Sequence, residues 1–180
     1  MNSANQQIAK EQFSNVQPMW KFCFLFIITF GFYQIPWSHK QWKFIKEREK
    51  LNIRPWFRSW FFPFYLYSLC QKIFALAEEE GYRKRPSPFL ITLIYWSLIV
   101  LCQLPIPFKL MGLFTFLPLI SILRAFNFYW ERKQPNLPVR TSFTGREIVW
   151  IVFGAILWLL VLRGLSVETY PQSNTQYNQY

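Results

Sequence analysis

The chain has 180 residues, 52% hydrophobic, 21% aromatic and only 16% charged, yet its formal net charge is +11. Soluble domains carry about 25% charged residues, so this chain is too apolar and charge-poor for an ordinary soluble fold, and far too apolar for disorder. The nine acids are Glu11, Glu47, Glu49, Glu78, Glu79, Glu80, Glu131, Glu147 and Glu168; with no aspartate, Asp nucleophiles, Asp-based Mg²⁺ sites and Ser-His-Asp triads are excluded.

Residues 1–19 form a polar tail rich in Asn and Gln, without the cleavage pattern of a signal peptide. The charge-free run that follows predicts a first transmembrane helix over 20–38, retained as an anchor, with Trp20 and Trp37 at its interfaces. Residues 39–51 then read as an amphipathic helix. Trp37, Trp42, Phe44, Ile45 and Leu51 fall on one half, and Lys40, Lys43, Lys46, Glu47 and Lys50 on the other. Such a helix suits the plane of the headgroups, where each basic residue near an anionic surface contributes about 1 kcal/mol.

The next segment, 56–76, is interrupted by Pro63, and its charge-free stretch 59–71 is short for a span. The Lys/Arg excess of cytoplasmic loops tests whether it crosses. If it does not, 16 of the 20 basic residues fall on one side and Lys10, Lys21, Lys109 and Arg163 on the other. If it does, the split is 9 against 11 and gives no orientation. A half-embedded, non-crossing segment is therefore expected, with both tails outside. Further spans are predicted over 88–106, 108–125 and 147–165, followed by a disordered polar tail, 167–180. The expected fold is all-α: one integral domain, 20–166, built as a polytopic bundle of about four transmembrane helices, with the interfacial helix and the Pro-broken segment.

Thr29-Phe30-Gly31-x-Tyr33, then Trp37 and Lys40-x-Trp42-x-x-Ile45-Lys46, resembles the opening of a family of small polytopic bacterial inner-membrane proteins without an established activity. Pro55-x-x-Arg58-x-x-Phe61, Tyr67-Ser68-Leu69, Lys72-Ile73, Leu104-Pro105-x-Pro107 and Leu117-Pro118-Leu119 are similar too, so the likeness spans roughly residues 20–126. The chain departs from it at Pro36, Ser38 and His39. The resemblance implies residence in the bacterial inner membrane and supplies no chemistry.

Candidates for chemistry are few. His39 is the only histidine and has no nearby Cys with which to begin a zinc site. Cys23, Cys70 and Cys102 lie in apolar segments without CxxC spacing and read as small hydrophobes. Glu78-Glu79-Glu80, before Arg83-Lys84-Arg85, reads as a solvated charge run ahead of a cation site. Gly154 and Ala155 permit close helix packing, although position 158 is Trp and the GxxxG spacing is missing. The charge-free cores of the predicted spans, 22–38, 86–108, 110–123 and 148–162, hold no Lys, Arg, His, Asp or Glu, which disfavours an ion-coupled transporter. The aromatics lie inside or at the ends of apolar segments, so the basic charge suits a membrane better than nucleic acid.

No cofactor or catalytic residue is expected. The favoured reading is a non-enzymatic scaffold or interaction protein touching anionic lipid through Lys40, Lys43, Lys46, Lys50, Arg54 and Arg58. Its further partner is expected to be a second copy (a homo-oligomer) or another membrane protein. The alternative is a small channel or transporter with its path beside Pro63 and Pro105-Ile106-Pro107.

Overall fold

A computed structural model describes residues 13–84, 86–104 and 108–168, with the side chains of 108–111 and 165–168 left aside. Among the described residues regular structure is helical, apart from one isolated bridge between Ser14 and Val139. In chain order the helices are α1 (Met19–Ile28), α2 (Gln34–Glu49), α3 (Pro55–Trp60), α4 (Phe62–Glu79), α5 (Pro88–Leu101), a 3₁₀ helix (Phe108–Thr115), α6 (Phe116–Lys133) and α7 (Gly145–Glu168).

The expected span 20–38 is not one helix. The Gly31 N–H donates to the Phe26 carbonyl at 2.8 Å, and Gly31 has φ +86°, the left-handed closure favoured by glycine. The Thr29 hydroxyl donates to the Leu25 carbonyl at 2.7 Å and accepts the Tyr33 N–H at 3.0 Å. These bonds end α1 after 10 residues, roughly 15 Å or half of the hydrocarbon core. The chain then folds back, and the Phe22 ring meets Trp37 of α2 at 5.1 Å.

The amphipathic helix is present over 34–49, and protein covers its apolar face. Trp37, Trp42 and Ile45 of α2 are buried in the protein core with Ser38 and Gln41. Phe44 stacks beside Phe126, Tyr129 and Trp130 of α6. A ready-made apolar wall of protein has taken the place expected for lipid.

The expected break in 56–76 is present at Phe61, between α3 and α4. An α-helix running on through Pro63 would lose its bond to Ser59 and clash with that carbonyl, whereas proline is accommodated in the first turn of α4. Past the break one face of α4 enters the core. Phe62, Leu66, Leu69, Ile73, Leu76 and Ala77 recur at helical spacing and are buried.

Among the described residues, two helices are long and apolar enough to cross a membrane: 22 residues over Gly112–Lys133 and 20 over Gly145–Gly164. The first starts later than the expected 108–125, opens as 3₁₀, and runs nine residues beyond Arg124, which lies on its exposed flank. The second corresponds to the expected 147–165. Where 88–106 was expected, α5 has 14 residues, and Pro105-Ile106-Pro107 lie outside the described residues.

Helices α1 and α7 run parallel and in step. Lys21 pairs with Glu147, the backbone at Ile28 touches Gly154, and Phe30 stacks on Trp158 at 4.6 Å. Residues 14–17 dock on the C-terminal part of α6 and the loop after it. The Ser14 N–H donates to Pro138 and the Gln17 N–H to the Asn127 amide oxygen, both at 3.0 Å. This part of the amino-terminal tail therefore shares an end of the bundle with the 134–144 loop, against the expectation that they lie on opposite sides. Residues 1–12 and 169–180 lie outside the described residues.

Candidate lipid-contact site

The six basic residues expected to form one lipid face divide into three environments. On α2, Lys43 is exposed and sits 3.9 Å from Glu47, an exposed pair worth a few tenths of a kcal/mol. Lys46 is half-buried, and exposed Lys50 holds the left-handed end of the helix at φ +50°. Lys40 reaches solvent on one side, but protein packs the others closely enough that desolvation lowers its pKa against the field of Glu147.

Arg58 is directed inward. Its guanidinium lies 4.6 Å from the centre of the Trp42 ring and 5.2 Å from that of Tyr65, so it pins α3 to α2 and α4 by cation–π contact. Arg54, the residue before α3, is exposed and lies against aromatics. With Trp56, Phe57, Trp60 and Phe61 it lines a shallow open recess of about 490 Å³.

Those aromatics were absent from the site expected from sequence. Trp56 and Trp60 are each 61% exposed, and Phe64 on the adjoining turn of α4 is 70% exposed. The four recess aromatics follow i, i+1, i+4, i+5 spacing from Trp56, the second residue of α3, so they share one helix face. That spacing in PWFRSWFF was the available signal. Ser59, on the opposite side, is fully buried and donates to the Pro55 carbonyl at 2.8 Å. Helix α3 therefore turns its apolar face away from the protein, the reverse of α2.

A second polar cluster joins the membrane-length helix α7 to α1. Lys21 is 2.9 Å from Glu147, with side chains only 4% and 14% exposed, and also donates to the Ser142 carbonyl at 2.8 Å. Glu147 accepts the Thr144 N–H at 2.7 Å and its hydroxyl at 2.9 Å, closing the Thr-x-x-Glu box that starts α7. Nearby Tyr33 receives the Gln17 amide at 3.2 Å; burial pushes its phenol pKa up, and Glu147 adds to the shift.

The remaining candidates take structural places. His39 packs edge-on against Trp56 at 5.6 Å. Cys23, Cys70 and Cys102 are free thiols, Cys70 buried and the other two half-buried. The glutamate run is tied into the fold: Glu79 pairs with Arg48 at 2.6 Å and Glu80 with Lys133 at 2.5 Å. Lys72 pairs with Glu49, and Arg48 also donates to the Tyr129 hydroxyl, so this end of the bundle is laced by ion pairs. Among the described residues no three His, Cys, Asp or Glu side chains come together as a metal site. Pro63 sits in the first turn of α4, beside Phe62 of the core.

Compared with protein-family models, with curated proteins and with solved structures, the chain matches none.

Proposed function

We propose that this chain is an integral protein of a bacterial inner membrane and works as a non-catalytic scaffold. On this reading the α3 shelf grips the interface, its tryptophans at headgroup level and Arg54 on an anionic lipid. The observation that carries the reading is the outward-facing set Trp56, Phe57, Trp60 and Phe61 with exposed Arg54 beside it. Tryptophan is enriched at membrane interfaces, and an arginine there reaches the phosphates while its stem stays among apolar groups. Helix α7 supports the same setting: only 6% of its spanning-length stretch is buried by protein. An apolar surface of that extent otherwise marks an interaction site or an aggregation liability.

A nitroxide at Trp60→Cys, in the full chain with its three native cysteines replaced, tests the shelf after reconstitution. Relaxation by oxygen and by an aqueous nickel chelate should place the label at headgroup depth. With Arg54→Glu added, the label should move outward in vesicles containing phosphatidylglycerol and stay put in pure phosphatidylcholine. A label as open to the nickel chelate as one on a soluble loop would end this proposal.

A further inference from the structure

A second basic recess lies away from α3, where the loop between α4 and α5 meets the exposed flank of α6. It encloses about 370 Å³ and is lined by Tyr82, Lys84, Pro86, Ser121 and Arg124. Two cations and two hydroxyls converge there, and no carboxylate lines it. Among the described residues, neither Lys84 nor Arg124 has an ion-pair partner, although Arg48, Lys72 and Lys133 at the same end of the bundle all do. The recess also adjoins the start of α5. Pro86 lines it two residues before Pro88 opens that helix, and the Ser87 side chain does not cap the first turn, whose N–H groups remain a source of positive potential.

The position of Arg124 narrows the ligand. It lies on α6, within a membrane-length helix, nine residues or roughly 13 Å short of the Lys133 end. Leu117, Ser121, Arg124 and Phe128 are spaced four, three and four apart, so they form one stripe on the helix. Leu117, at its lower end, is 50% exposed. On neighbouring α5, Phe89, Leu90, Leu93 and Ile94 are also exposed. An unpaired arginine at that depth is costly unless an anion meets it. A free anion has no use for the apolar stripe beneath, whereas a phospholipid brings a phosphate and an acyl chain already joined.

We infer that the Tyr82–Lys84–Ser121–Arg124 recess binds the phosphodiester headgroup of one anionic phospholipid, with an acyl chain laid along the exposed Leu117 side of α6. Arg124 supplies two parallel N–H donors to the phosphate, Lys84 a point charge, and the two hydroxyls further donors. This inference rests on the bilayer setting proposed above, while its residues are separate from the α3 shelf.

The test is native mass spectrometry of the full chain in detergent, titrated separately with dioctanoyl phosphatidylglycerol, dioctanoyl phosphatidylcholine and inorganic phosphate. One phosphatidylglycerol should be retained in preference to phosphatidylcholine. Affinity should fall about fivefold for each of Lys84→Gln and Arg124→Gln, and Arg124→Lys should recover part of the loss. Equal retention by wild type and the double variant overturns the site. Equal binding of the two lipids overturns anionic recognition, and displacement of the lipid by equimolar inorganic phosphate overturns the lipid as source. Alkaline carbonate extraction separates the two ideas. Release of wild type from membranes overturns both, whereas a carbonate-resistant protein without lipid preference overturns the recess alone.

Discussion

Gly154 on α7 faces the carbonyl of Ile28 on α1 with no room between them. A Cβ built at Gly154 would overlap that carbonyl oxygen and come within 2.8 Å of its carbon. The obstacle is backbone at the last residue of a helix, so it cannot rotate aside as a side chain would. Gly154 is thus the point at which the most exposed helix of the molecule is held against the rest.

Gly154→Leu should therefore destabilise the protein by at least the roughly 1–3 kcal/mol typical of overpacking. Gly164→Ala, with open space around its Cβ, should be neutral or slightly stabilising. Thermal unfolding of the two variants in one detergent gives the comparison, and equal midpoints would remove the close contact as a determinant.

The Lys21–Glu147 pair predicts strong asymmetry between single and double variants. Glu147→Gln leaves the Lys21 ammonium buried beside a neutral amide, and a broken buried pair costs about 3–5 kcal/mol. Lys21→Met combined with Glu147→Gln should recover much of that loss. A double-mutant cycle on unfolding free energies reads the coupling; additive effects would show that the two side chains do not depend on each other.

At the α1–α2 reversal, Gly31 has φ +86° and its Cβ position lies 3.2 Å from the Phe26 ring. Gly31→Val should cost at least the roughly 1–2 kcal/mol of left-handed backbone, plus the displacement of Phe26. Loss of protection at the Tyr33 amide, bonded to Thr29, is the local readout by hydrogen exchange. Unchanged protection would mean that the turn tolerates a side chain.

The docking of residues 14–17 onto α6 and its following loop makes a topological prediction. Single cysteines at Asn15 and Arg132 should react with an impermeant thiol reagent from the same side of sealed vesicles, and one at Arg163 from the opposite side. Labelling of positions 15 and 132 from opposite sides would contradict the placement of this part of the tail.

Helical character was legible throughout, because long charge-free runs leave few alternatives. Continuity was not. A run such as 22–38 reports how much apolar chain is available, whereas Thr29 and Gly31 decide through a few hydrogen bonds that it turns back. The basic face of α2 was also readable from 3.6-residue spacing, but the same spacing cannot say whether lipid or Phe126 and Trp130 covers the other face. Arg124 looked like a boundary because charge normally ends a span, and α6 instead carries it past on an exposed flank. The Thr144-x-x-Glu147 box was a local signal for the start of α7; its link to Lys21, more than 100 residues away, has no local signal.

The shared direction of α2, α4 and α6 has an electrical consequence. Their carboxyl-terminal turns converge where Arg48, Glu79, Tyr129 and Lys133 meet. Each aligned helix concentrates about half an elementary negative charge at that terminus. Part of the chain's positive excess thereby counterbalances the peptide dipoles of these three helices where they end, before any lipid approaches.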